Sequence, residues 1–229
     1  FQKLYYHKLG TPQAEDALIY ERKDQAKWGF GGGVTEDGRY LIINVWEGSA
    51  DKNRVFYTDL KPGVGKGKVV ELLRAFDAQY GLVGNDGPLF YFQANKDAPR
   101  GKVIAIDTRK PNASDAATWT TLVPEAPETL RGVSYVGGQL LLTYLKDARS
   151  QVKQFDRKGK LVREVALPGL GSASPPGGRQ DEDEAYYYYA SFTEMPQIFR
   201  TSIKTGKTEL WEKIEYKADT SQMTAEFIK

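Results

Sequence analysis

The sequence contains no cysteine and a single histidine, His7. Disulfides and thiolate metal sites are therefore excluded, and the redox compartment is left open. A metal centre would need carboxylate ligands with at most one imidazole. No acidic cluster with that spacing stands out, so no metal and no cofactor is expected. Charge of one sign is also lacking: 32 Lys and Arg face 30 Asp and Glu, for a net charge of +2. Without a basic stripe, a nucleic-acid partner has no electrostatic footing. The block Asp181-Glu182-Asp183-Glu184 reads as a solvated loop. Long apolar runs are missing too. The longest, Tyr40–Trp46, is interrupted by Asn44 and falls far short of the ~20 residues that span a bilayer as a helix, so no membrane partner is expected.

Two kinds of catalytic motif are absent. No Gly-x-x-x-x-Gly-Lys occurs, and the glycine-rich Gly29–Gly33 and Gly63–Gly67 read as turns needing positive φ. No Gly-x-Ser-x-Gly nucleophile elbow occurs either. The nearest match, Gly171-Ser172-Ala173-Ser174, sits in a Pro/Gly loop with no helix after it. His7 stands among tyrosines, where a mid-strand, partly buried, hydrogen-bonded structural role is expected. No catalytic residue is assigned. Asn112-Ala113-Ser114 matches a glycosylation sequon, a pattern common by chance.

What the chain does have is β-forming surface and turn residues: 14 Tyr, 10 Phe, 4 Trp, 23 Gly and 11 Pro. This composition favours many short strands joined by turns. The length suits one large β domain or two small ones. A turn followed by an apolar strand recurs at Asp37–Ile43, Asp86–Phe92, Gly137–Leu142 and Asp183–Tyr188, at steps of about 50 residues. A second strand follows in each repeat and ends near an acidic or small polar residue: Arg54–Asp59, Lys102–Asp107, Val152–Asp156 and Gln197–Ser202. A third comes at Val69–Leu73, Trp119–Val123, Leu161–Val165 and Thr208–Trp211. Gly-containing segments at Trp28–Val34, Tyr80–Gly84, Arg131–Val136 and Gly169–Ser174 would supply a fourth.

Four antiparallel strands per ~50 residues is the pattern of a β-propeller blade. The expected fold is all-β, a β-propeller of four-stranded antiparallel blades. A half blade is expected at 1–27 and blades at about 28–75, 76–125, 126–168 and 169–213, with an exit segment at 214–229. Both ends read as cut. Four and a half blades leave open edges that demand a covering partner, another copy of the chain among them.

The stretches YYHKLGTPQAEDALIYE (Tyr5–Glu21), KWGFGGGVTEDGRYLIINVWEG (Lys27–Gly48) and YYASFTEMPQIFR (Tyr188–Arg200) resemble the propeller domain of the prolyl oligopeptidases, a family of serine peptidases. The resemblance runs through nearly the whole chain in the same segment order. It implies a seven-bladed ring over an α/β-hydrolase catalytic domain, limiting entry to short proline-containing peptides that are cut after proline. This chain looks like the back part of that ring, so it should be inactive alone, with the hydrolase domain and a short peptide as partners. The family occurs in cytoplasm and bacterial periplasm.

The resemblance also implies the candidate site. In the family, the loop after the first strand of the Tyr40 repeat faces the peptidase site and often supplies an arginine that binds the substrate backbone. Alignment on Asp37-Gly38-Arg39-Tyr40 puts Trp46 there, followed by Glu47, Gly48 and Ser49. An indole can stack on a proline ring but cannot supply bidentate guanidinium hydrogen bonds. Arg54 is a candidate to compensate, and Gly29 and Phe30 align beside another substrate-facing position. The substrate-binding candidates are thus Trp46, Ser49, Arg54, Gly29 and Phe30. Two other functions compete. One is a stand-alone propeller that binds a peptide or protein partner. The other is a carboxylate-pair enzyme using Glu47 and Asp51. The tyrosine run and the Met195-Pro196 corner are expected to be blade strand and inter-strand turn.

Overall fold

The computed structural model describes residues 1–215 and 223–226; the expected exit segment at 214–229 lies mostly outside them. Strands β1 (Lys3–Tyr6) and β2 (Ala17–Glu21) form a two-stranded antiparallel sheet. Four four-stranded sheets follow. The first is β3 (Trp28–Val34), β4 (Tyr40–Glu47), β5 (Asn53–Asp59) and β6 (Val70–Leu73). The second is β7 (Tyr80–Asp86), β8 (Leu89–Ala94), β9 (Lys102–Asp107) and β10 (Thr120–Val123). The third is β11 (Thr129–Val136), β12 (Gln139–Lys146), β13 (Arg149–Phe155) and β14 (Leu161–Val165). The fourth is β15 (Ser172–Ala173), β16 (Glu184–Ala190), β17 (Gln197–Ser202) and β18 (Thr208–Lys213). In every sheet the strands lie side by side in chain order, which is the meander of a propeller blade.

The chain forms two compact units: Phe1–Asp97 with Ile104–Thr120, and Ala98–Val103 with the residues from Thr121 onward. In the first unit, the period of two along β4 sends alternate side chains to opposite faces. Ile43 and Val45 join Trp28, Phe30 and Phe56 in a core to which Leu4, Ile19 and Tyr20 of the two-stranded sheet contribute. Tyr40 and Ile42 join Phe90, Phe92, Ile104 and Ile106 in another. Phe56, Phe90 and Phe92 are fully buried, each contributing about 1.5–3 kcal/mol from area removed from water. In the second unit, Ala185, Tyr187 and Tyr189 of β16 pack with Val136, Leu141 and Val152. Tyr187 stacks on Phe199 with centroids 5.5 Å apart. The tyrosine run is therefore blade strand, with odd positions buried and Tyr188 exposed on the other face. Between β16 and β17, the Ser191 hydroxyl accepts the Glu194 N–H at 3.0 Å, closing the corner that Met195-Pro196 leads out of.

The acidic or small polar residue that recurs at the ends of β5, β9, β13 and β17 has a local job. Asp59 Oδ1 accepts the Lys61 N–H at 2.8 Å, Asp107 Oδ1 the Arg109 N–H at 3.1 Å, and Asp156 Oδ1 the N–H groups of Lys158 and Lys160 at 2.8 and 2.9 Å. In the last sheet the Ser202 hydroxyl accepts the Thr205 N–H at 3.1 Å. A short oxygen-bearing side chain there satisfies the first free donor of the turn, which is why Asp and Ser recur.

Three expectations need correction. His7 lies outside β1, which ends at Tyr6, and its ring is 44% exposed with Nδ1 2.6 Å from Asp16 Oδ1. Tyr6 and Ala17 form the last pair of the sheet, and His7 stands in the connection beyond it, beside Asp16. Gly63 and Gly65 do have positive φ, but Gly67 does not, and Gly29 and Gly31–Gly33 sit inside β3 without it. In the Gly169–Ser174 segment only Ser172–Ala173 forms a strand. Pro175 and Pro176 follow, and neither can donate to a ladder.

The capping aspartates predict an acid response. The Arg109 guanidinium holds the Asp107 carboxyl at about 2. The Lys61 and Lys160 N–H groups lead the lowering of Asp59 and Asp156. An unfolded aspartate titrates near 3.9, so these groups bind fewer protons folded than unfolded below that value. Their contribution is present above about pH 4 and lost as pH falls towards about 2. Thermal melts by circular dichroism should fall over that interval, and less steeply in Asp107→Asn.

Candidate functional site

The five candidate residues occupy three neighbouring strands and one turn, but on two faces. In the ladder, Trp46 pairs with Gly29 and with Asn53, while Val45 pairs with Phe30 and with Arg54. Directly paired residues share a face. Trp46 and Gly29 therefore lie on one side of the sheet, and Phe30 and Arg54 on the other. Ser49 lies in the exposed turn after Gly48, whose φ is +55°.

On the first face, the Trp46 indole lies across β3. A Cβ built on Gly29 would overlap indole atoms Cε2, Nε1 and Cζ2, and one on Gly31 would stand 3.3 Å from Cζ3. Glycine in a strand interior costs roughly 0.5–1 kcal/mol relative to alanine. With no positive φ at these sites, the reason for glycine is room for the indole. Trp46 is 39% exposed. Asn44, two residues earlier on the same face, is exposed as well. The rim beside them is pinned. Asn53 Nδ2 donates to the Tyr80 carbonyl at 2.9 Å, and Asn53 Oδ1 accepts the Tyr80 N–H at 2.7 Å. This side-chain amide copies a backbone ladder pair and ties β5 to β7.

On the second face, Phe30 is buried, packs edge-to-face on Tyr20, and donates its N–H to Gln2 Oε1 at 2.8 Å. The Arg54 guanidinium lies 4.1 Å from the Trp28 ring centroid and 4.2 Å from that of Phe76. Arg22 lies 4.7 Å from the same Trp28 centroid. Arg54 Nε is buried with no hydrogen-bond acceptor. Desolvation lowers the Arg54 pKa below the ordinary arginine value. The side chain is thus a cation held between two rings. Sequence reasoning treated Arg54 as a near neighbour of Trp46; the period of two puts it behind the sheet. The sequence reading gave no role to Asn44 and Gly31, which share the Trp46 face, although Asn44 is the one polar break in the Tyr40–Trp46 run.

Among the described residues there is no group of three or more His, Asp or Glu able to hold a metal ion, and no helix long and apolar enough to cross a membrane. Glu47 closes β4 opposite Trp28, and Asp51 lies in the exposed turn.

Residues 1–214 match the family of the prolyl oligopeptidase N-terminal beta-propeller domain. The chain belongs to the prolyl oligopeptidase family. It is 36% identical over 224 residues to a prolyl endopeptidase of Elizabethkingia miricola, a match spanning 98% of this chain and 31% of that one. A prolyl endopeptidase of Elizabethkingia meningoseptica is 34% identical over the same shares. Among solved structures, one from a study of two prolyl endopeptidases superposes with a TM-score of 0.85 at 37% identity, covering 96% of this chain and 31% of that one. Prolyl oligopeptidase B of Galerina marginata, solved with a 25-residue macrocyclization substrate, shares the fold with a TM-score of 0.85 at 23% identity. The chain thus spans about a third of the length of the relatives it matches, and the part matched is propeller.

The Arg54 slot yields a stability prediction. Truncation to alanine leaves a gap between Trp28 and Phe76 and should cost about 1–3 kcal/mol. Arg54→Met keeps an apolar stem between the rings and removes the buried donor that lacks an acceptor, so it should stay within about 1 kcal/mol of the parent. Urea unfolding followed by circular dichroism measures both, and equal losses would contradict the packing account.

Proposed function

We propose that this chain is the non-catalytic, entry-limiting part of a prolyl oligopeptidase that cleaves short proline-containing peptides after proline. The observation that carries the reading is the family match over residues 1–214 to a propeller domain, in a chain whose sequence has no nucleophile elbow. Its one histidine is engaged by Asp16 at an exposed turn. Acyl transfer needs a nucleophile, a base and a group that orients the base. On this reading all three belong to an α/β-hydrolase domain on the rest of the parent polypeptide. The blades act by exclusion. The propeller restricts which chains reach the peptidase, and binding energy is used for selection. On this reading the Trp46 end of β4 faces the substrate.

Two measurements test this. The isolated chain should not turn over a short proline-containing peptide; turnover blocked by a serine-directed inhibitor would refute the assignment. In a chimera, this chain would replace the matching third of the Elizabethkingia miricola prolyl endopeptidase. That chimera should cleave the short peptide and leave a long unfolded protein substrate largely intact. Equal rates on the two substrates would show that the segment does not select by size.

A further inference from the structure

We infer that the segment Met223–Glu226 is a strap, seated through Ala225 in a cavity at one end of the third and fourth four-stranded sheets and free to leave it. The inference goes beyond the proposed function, because it concerns a contact within this chain and assumes no substrate.

The cavity measures about 330 Å³ and lies within the second compact unit. Its wall comes from the β12–β13 turn, from Gly171 and the start of β15, from the corner after β16, and from Ala225 and Glu226. The chain thus shows what the cavity takes, a stretch of its own backbone. Met223 is 56% exposed, and Thr224 and Glu226 are exposed too, whereas Ala225 between them is half-buried. Among the described residues no hydrogen bond or ion pair holds Met223–Glu226, so apolar contact is what seats it. Such contact is without direction and roughly proportional to area, and one methyl group offers little. A cavity of this size, with Leu170 and the fully exposed Phe192 on its wall, is larger than alanine needs. The strap is therefore held weakly enough to open locally.

The seat itself is braced. The Ser150 N–H donates to the Gly171 carbonyl at 3.0 Å, and the Ala173 N–H donates to Ser150 Oγ at 2.9 Å. These bonds tie β13 to β15 beside the cavity. A Cβ built on Gly171 would overlap the Ala190 carbonyl and the Tyr189 ring, so Gly171 lies close against the end of β16. The turn that completes the wall is strained. Lys146 pairs with Arg149, leaving Asp147 and Ala148 as a two-residue loop with φ of +48° and +59°. Such loops favour glycine at the second position. Of the described non-glycine residues with positive φ, Asp97, Asp147 and Ala148, only Ala148 lacks a side-chain oxygen that could bond locally. Ala148 is also on the cavity wall. Strain of this kind persists where a site uses it, and here it makes Ala148 a positioning residue for the strap.

The test uses the full chain, which has no cysteine, so a thiol placed by Ala225→Cys reports on the strap alone. Its rate of exchange with an aromatic disulfide reagent depends on access, and each rate is divided by that of the same variant unfolded in urea. Ala225→Cys should react about three- to tenfold more slowly than Thr224→Cys, its exposed neighbour. Adding Ala148→Gly should bring the Ala225→Cys rate to within about twofold of Thr224→Cys while raising the melting temperature, because glycine adopts φ of +59° freely. A turn with no part in the seat would change the melting temperature and leave the rate alone. Independently of that turn, Ala225→Leu should raise the melting temperature by filling the seat, and Ala225→Asp should not. Equal rates at positions 224 and 225, or a rate unmoved by Ala148→Gly, would overturn the inference. So would protection that fades on about hundredfold dilution, which would assign the seat to the segment of a second copy.

Discussion

A four-stranded antiparallel sheet with apolar residues at both parities has two faces to bury and only one of itself. Everything in this chain follows from that constraint. Strand β4 shows it most plainly, with Tyr40 and Ile42 on one face and Ile43 and Val45 on the other, all buried. Each face is covered by a different neighbour: the two-stranded sheet contributes Leu4, Ile19 and Tyr20, and β8 and β9 contribute Phe90, Phe92, Ile104 and Ile106. Burial on both sides explains why the inner strands read as near-continuous apolar runs and not as alternation. It also explains the repeat, because a unit that cannot bury itself must be stacked with others like it.

The constraint determines what was legible in the residues alone. Turn chemistry is local, so Asp59, Asp107 and Asp156 marked the strand ends from sequence, each now seen capping its own turn. Apolar runs are also local, so the strands they build were readable, but not all their bounds: β12 runs on to Lys146 past the Leu142 read from sequence, and β13 begins at Arg149 and not at Val152. Two of the failures arose where meaning depended on a partner across the sheet. Gly29 and Gly31 looked like turn residues because glycine most often signals positive φ, whereas here they answer to the size of an indole on the next strand. Trp46 and Arg54 looked like neighbours because eight positions around a hairpin brings two residues together. Which face each takes depends on ladder register, and Arg54 pairs with Val45 rather than with Trp46. Gly33 is a remaining oddity: a Cβ there would meet nothing within 4 Å, and no contact accounts for glycine.

The two sides of the first four-stranded sheet are used differently at its Trp46 end. The Arg54 side is closed by stacking, with the Arg22 and Arg54 guanidinium groups and the Trp28 and Phe76 rings filling the space. There a cation meets aromatic faces and gives up hydrogen bonds, which is tolerable because guanidinium is weakly hydrated and planar. The Trp46 side is more open: its ring lies over the glycine backbone of β3 and is 39% exposed, and Asn53 on Tyr80 pins the rim.

On the proposed function, and on the family resemblance that implies a guanidinium at this position, an indole there would change what the gate selects. A guanidinium forms directional, charge-assisted bonds to any backbone carbonyl placed before it, so it holds a peptide without regard to sequence. An indole face offers dispersion and apolar contact, with little direction, and rewards a flat ring over an open chain. Exchanging the first for the second moves discrimination from backbone to side chain. Such a contact, remote from the bond being cut, is made about equally in ground and transition states. It therefore acts on substrate capture more than on the chemical step. A propeller segment can differ from its relatives in selectivity in this way while its blades, turns and cores stay as the packing constraint requires.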